Sequence, residues 1–201
     1  MRGMVRSIAY VTMLVTAPAV GGVTSSADAA QKFKGTFTST QARSCTVASD
    51  AFVAPNFAIP AYTFLLRQEA SDSETMIFNG DGTGTVTGRS KGMNVSATTP
   101  GSGIINVSEF SATFDYAVNP DGTLDVTNLL VTFEVVLGSG IGNTGTTTGQ
   151  VRHFRITDNG AGLQSVDDQI TNEVVQTFPL VGSPSTTNRI CTRNLTARRV
   201  N

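Results

Sequence analysis

A chain of 201 residues with 39% hydrophobic and 14% charged content is long enough for one globular domain of ordinary size and short for two. Its formal net charge of −1 supplies no basic surface to neutralise a phosphate backbone, so no nucleic-acid partner is expected. Thr, Ser, Gly and Val dominate beyond residue 30 while Leu, Glu and Lys are sparse, which favours strands and turns over helices.

Residues 1–29 have the form of a secretory signal peptide. Arg2 and Arg6 give the positive end, Ile8 to Val20 the apolar run and Ala27-Asp28-Ala29 a small-x-small cleavage site. The alternative, a membrane anchor, is disfavoured because the run is shorter than the roughly 20 residues of a span and is broken by Pro18, Gly21 and Gly22. A single mature domain, residues 30–201, is therefore expected in a secreted or periplasmic location. Thiols tend to pair in an oxidising compartment, and the only pairing available is Cys45 with Cys191, the alternative being two buried free thiols.

Gln31 to Thr40 alternates, with Phe33, Gly35 and Phe37 on one face, and opens the sheet. The period is lost from Gln41 to Ala70, where Pro55 and Pro60 interrupt an apolar segment that includes Phe57 and Tyr62. Such a segment must cover apolar surface, either as a plug on one end of the core or as a lid over a ligand cavity. Two strands follow, about Glu74 to Asn79 and Thr83 to Ala97, joined at Gly80-Asp81-Gly82. Apolar residues in the second move from even positions at Val86 to odd positions at Met93 and Val95, and its glycines 84, 88 and 92 mark bends or close backbone approach.

After a polar turn from Thr98 to Gly103 comes the longest hairpin, Glu109 to Gly138, turning at Asn119-Pro120-Asp121-Gly122. Phe110, Ala112, Phe114, Tyr116 and Val118 share one face of its first strand. In its second, Leu124 and Val126 have one parity and Leu129, Val131, Phe133, Val135 and Leu137 the other, which requires a bulge near Thr127-Asn128. A Gly/Thr-rich connection, Ser139 to Gly149, leads to strands from about Gln150 to Thr157, Gln169 to Leu180 and Arg189 to Val200. The seventh strand shows Ile170, Val174, Phe178 and Leu180 on one face.

About eight strands in an antiparallel meander close naturally into an up-and-down β-barrel, with the last strand beside the first and the two cysteines stapling the seam; a two-sheet β-sandwich is the alternative. The phrases Phe78-Asn79-Gly80-Asp81-Gly82-Thr83-Gly84, Asn119-Pro120-Asp121-Gly122-Thr123 and Arg189-Ile190-Cys191-x-Arg193 together resemble a group of small secreted bacterial proteins of unassigned function, across most of the mature chain. More distantly, Gly35-Thr36-Phe37 with arginines in the last strand, Arg193 among them, is similar to the lipocalin pattern of a Gly-x-Trp motif packed on an Arg. That resemblance implies a calycin-like barrel that binds a small apolar molecule.

Chemistry is sparse by comparison. His153 is the only histidine, which excludes a histidine cluster for a metal, and if Phe154 faces the core His153 faces away from it. Asp167, Asp168 and nearby Glu173 read as a solvated acidic patch, and Asn79 to Gly84 lacks the alternating acids of a calcium loop. No phosphate-binding glycine motif is present. Three Tyr and no Trp are too few for the aromatic girdles of a membrane-embedded barrel. No catalytic residue, metal or cofactor is assigned, because no set of polar groups is seen to converge. The expectation is a non-enzymatic barrel whose lining and lid residues Phe33, Phe37, Phe57, Tyr62, Phe110, Phe114, Tyr116 and Phe133 hold a small hydrophobic ligand. A structural or protein-interaction module of the cell envelope is the alternative.

Overall fold

A computed structural model of the chain describes residues 33–52, 65–96, 103–166 and 171–200. Among the described residues nine strands form one sheet: β1 (Lys34–Ala48), β2 (Leu65–Asn79), β3 (Thr83–Ser96), β4 (Gly103–Val118), β5 (Thr123–Gly138), β6 (Thr144–Thr157), β7 (Gly162–Ser165), β8 (Thr171–Phe178) and β9 (Ser185–Val200). Each strand pairs antiparallel with its neighbours, and β9 returns to pair with β1 from Thr36↔Val200 to Ala48↔Asn188. The sheet is therefore a closed barrel, and the sandwich is ruled out. Its staves number eight rather than nine, because β7 and β8 lie end to end between β6 and β9.

The hairpin β4–β5 is the expected one. Its bulge falls where the parity demanded: the register slips between Thr113 and Asp115, and Asn128 takes a left-handed φ of 53° while its amide donates to Asp115 Oδ2 at 2.7 Å. The two short turns are copies of each other. In Asn79-Gly80-Asp81-Gly82-Thr83 and Asn119-Pro120-Asp121-Gly122-Thr123, the Asp Oδ1 accepts both the backbone N–H and the hydroxyl of the Thr two residues on, at 2.6–3.0 Å. Those bonds hold the Asp81 and Asp121 carboxyls below their ordinary pKa.

Four sequence expectations are corrected. β1 continues to Ala48 and β2 begins at Leu65, so much of the stretch from 41 to 70 is strand; its apolar period is broken because polar Gln41, Arg43 and Gln68 hold inward positions there. Inward parity in β3 does not switch, for Ser90, Gly92 and Asn94 line the interior while Met93 is exposed. The supposed connection before residue 150 is already strand from Thr144. In β8 the buried residues are Thr171, Glu173 and Val175, and Phe178 and Leu180 are exposed. Phe57 and Tyr62 lie outside the described residues, as do residues 1–32 with the expected signal peptide and the pair Asp167 and Asp168.

The core fills one end of the barrel only. Phe78, with no exposed surface, meets Phe33, Phe37, Phe114 and Tyr116 at ring-centroid distances of 5.0–5.5 Å, mostly edge to face. Each such pair contributes about 0.5–1.5 kcal/mol beyond its area burial. Val86, Leu124, Val126, Phe154, Leu163 and Leu195 belong to the same cluster. Glycines let the rings lie flat on the wall: a Cβ at Gly84 would sit 2.3 Å from its cross-strand partner Phe114, and one at Gly145 2.4 Å from its partner Phe133. Tyr116 closes this end, accepting the Gly80 N–H at 3.0 Å and donating to Phe33 O at 2.6 Å.

Candidate functional site

The strands that deliver the aromatic cluster deliver a different set of side chains farther along the same inward face. On β1, Phe37 is followed by Gln41, Arg43 and Cys45; on β2, Phe78 and Met76 are preceded by Glu74 and Asp72; on β6, Phe154 is preceded by Arg152 and Gln150. From β8 and β9 come Glu173, Arg189 and Arg193. Beyond this charged belt the interior opens as a cavity of about 320 Å³. The belt supplies its floor through Gln41, Arg43, Asp72, Gln150, Arg152 and Arg189, and Phe110, Val131, Phe133, Val135 and Val175 supply an apolar wall.

Glu173 is the centre of the belt, with a side chain that is 0% exposed. Its Oε2 accepts Arg189 Nε at 2.6 Å and Gln150 Nε2 at 3.3 Å. Its Oε1 accepts Arg193 Nη2 and, at 3.2 Å, the Thr171 hydroxyl. Burial alone would raise the Glu173 pKa, but Arg193 and Arg189 outweigh it and hold the carboxyl down to about 2. A second pair joins Arg152 Nη1 to Glu74 Oε1 at 2.8 Å, with Ser39 donating to the same oxygen at 3.1 Å. Arg152 also lies 4.0 Å from Met76 Sδ, at the border of the aromatic cluster.

The third acid is served differently. Asp72 Oδ2 accepts Gln41 Nε2 at 2.8 Å, whereas Asp72 Oδ1 is 3.7 Å from Arg43 Nη2, too long for a hydrogen bond. Arg43 donates to Ser90 Oγ at 3.3 Å and is directly opposite Arg193 in the β1–β9 register. Burial, then repulsion from Arg189 and Arg193, lowers its pKa to about 10 despite Asp72. Seven buried side-chain atoms make no hydrogen bond among the described residues: Gln41 Oε1, Arg43 Nε, Asp72 Oδ1, Glu74 Oε2, Gln150 Oε1, Arg152 Nε and Arg193 Nε. A buried polar atom left unsatisfied costs about 1–3 kcal/mol. Five of the seven residues that carry them line the cavity.

The aromatic residues expected to line a ligand site divide. Phe110 and Phe133 do line the cavity. Phe33, Phe37, Phe114 and Tyr116 belong to the aromatic cluster of the filled end. Cys45 and Cys191 are bonded at an S–S distance of 2.05 Å across the β1–β9 seam, 146 residues apart in sequence, beside Val47 and Leu66 at the cavity end. The arginine that lies over Gly35 is Arg199, whose Nη2 donates to Lys34 O at 2.5 Å, while Arg193 faces the interior. His153 is on the outside as expected, with Nδ1 2.5 Å from Asp125 Oδ1.

Polar groups thus converge inside the barrel where none had been seen, and Glu173 is buried rather than part of a solvated patch. The signal was present in the sequence. Carrying the inward parity of each strand past its last apolar residue lands on Gln41 and Arg43, Asp72 and Glu74, and Arg189 and Arg193.

Among the described residues, no group of three or more His, Cys, Asp or Glu side chains could hold a metal ion, and no helix is long and apolar enough to cross a membrane. No family model matches the chain, and no curated protein or solved structure matches it.

Proposed function

We propose that the protein is an exported binding barrel that holds one small amphipathic molecule in its open half. The observation that carries this reading is the cavity of about 320 Å³, within the range of small-molecule sites, with unpartnered buried polar atoms on its floor and apolar side chains on its wall. A ligand's apolar part would lie against Phe110, Phe133, Val135 and Val175, and its polar end would meet Gln41, Arg43, Asp72 and Arg152. The disulfide and the signal-like leader support an oxidising location outside the cytosol.

Amide NMR of the mature protein titrated with 1-octanol and with octanoate tests the reading. Saturable shifts confined to the cavity wall, abolished when Val135→Trp fills the cavity, are the expected result. Absence of saturable shifts with either compound would defeat it.

A protein-interaction role is favoured by a separate feature, the exposed apolar residues of two adjoining turns at the open end. Ile141 is 59%, Leu180 74% and Val181 91% exposed, and Leu180 N–H donates to Asn143 Oδ1 across the turns. That role predicts self-association or partner capture that Leu180→Ser with Val181→Ser removes, with octanol binding unchanged.

A further inference from the structure

We infer that the molecule taken up by the cavity carries a monoanionic head group, such as a carboxylate, and that Arg43 is the residue that binds it. The inference rests on the binding reading above and goes beyond it by assigning the charge of the ligand and its anchor. Among the described interior residues, four guanidiniums, those of Arg43, Arg152, Arg189 and Arg193, face three carboxylates, those of Asp72, Glu74 and Glu173. The surplus is a single positive charge.

The contacts locate that surplus. Arg152 has Glu74 at 2.8 Å, and Arg189 and Arg193 share Glu173. Arg43 donates to Ser90 Oγ, its acidic partner Asp72 is 3.7 Å away, and the other oxygen of Asp72 is engaged by Gln41. Its side chain is 11% exposed, its Nε makes no hydrogen bond among the described residues, and it lines the cavity. Like charges directly opposite in a strand pair repel, and Arg43 stands opposite Arg193. Burial of a guanidinium beside a like charge is unfavourable, and an oxyanion held against it would offset that cost.

A planar carboxylate suits the guanidinium fork, which presents paired N–H donors to two oxygens. A second anionic charge would exceed the surplus and meet Asp72. The volume limits the apolar part to a short chain or one ring system. An amine would bring a second cation to Arg43 and is rejected.

Isothermal titration of the full mature protein with octanoate, 1-octanol and octylamine tests the inference. Octanoate is expected to bind at least tenfold more tightly than 1-octanol, and octylamine not to bind. Arg43→Gln should lower octanoate affinity at least tenfold and so erase the preference for octanoate. Arg43→Lys, which keeps the charge and loses the fork, should retain part of the preference and covers the case in which the glutamine variant fails to fold. Equal affinity for octanoate and octanol in the parent protein, or an undiminished preference for octanoate in Arg43→Gln, overturns the inference while the binding reading stands. Binding of none of the three compounds overturns both.

Discussion

The two ends of the barrel are built from the same strands in the same inward parity, yet they are held by different physics. At the filled end Phe37, Phe78, Phe114 and Phe154 exclude water by packing, and none needs a particular partner to remain buried. At the open end Arg43, Asp72, Glu173, Arg189 and Arg193 occupy equivalent positions and depend on one another's charge, with the Cys45–Cys191 bond beside them. Packing tolerates partial loss, whereas a buried ion pair contributes little net stability and becomes a large liability once one partner is removed. The fold is thus anchored at one end, and the other is free to keep a cavity.

Breaking the covalent bond should separate the two ends most clearly. A Cys45→Ala, Cys191→Ala double variant opens a loop that spans most of the chain, for which loop-closure entropy gives a loss of roughly 5 kcal/mol at most. Amide hydrogen exchange is expected to rise first near Val47, Leu66 and Ile190, with amides at Phe78 and Leu124 still protected. Uniform loss of protection at both ends would show that the barrel unfolds as one unit and that the division has no energetic meaning.

Next in size is a matched pair of substitutions. Phe78→Ala removes the ring that touches four others, and Glu173→Gln leaves Arg189 and Arg193 without their counter-charge; each should lower stability by about 3–5 kcal/mol in a denaturant titration. Acid distinguishes them. The folded Glu173 carboxyl has a pKa of about 2 against an ordinary 4.5, so its contribution is complete above pH 4.5 and is lost as the pH falls through 2. The parent and Phe78→Ala should lose stability across that window, and Glu173→Gln should lose markedly less. An identical acid slope in both variants would remove Glu173 from the account of the open end.

How far the sequence could be read follows the same division. The filled end was legible because apolar alternation, Asp-Gly turns and the parity change around Asn128 all carry the period of two directly. The open end was not, because a search for apolar periodicity treats Gln41, Arg43, Asp72 and Glu173 as solvent-facing, and the apparent parity change at Met93 followed an outward apolar residue. Phe110 and Phe133 were placed correctly on the inner face for the same reason that Phe33, Phe37, Phe114 and Tyr116 were: parity gives the face but not the depth along the barrel, and depth decides whether a ring packs in the core or lines a cavity. The disulfide was accessible from arithmetic alone, since two cysteines allow one bridge.

The smallest expected effect sharpens the contrast between the inside and the outside of the same strand. Arg152 and His153 are neighbours on β6, and the pleat sends the first to the cavity floor and the second to the surface, where it meets Asp125 at 2.5 Å with both side chains partly exposed. A pair of that kind contributes at most about 1 kcal/mol. Asp125 also accepts Asn119 Nδ2 at 3.0 Å, so it keeps a hydrogen-bond partner when the imidazole is replaced. His153→Gln should therefore change stability by less than about 1 kcal/mol and leave octanoate affinity unaltered, whereas Arg152→Gln, one residue away, should strand Glu74 and disturb both. The two melting curves and two titrations read the orientation of β6 directly. Loss of octanoate binding in His153→Gln would mean that the sole histidine communicates with the cavity, and the separation of a structural exterior from the proposed binding interior would fail at that strand.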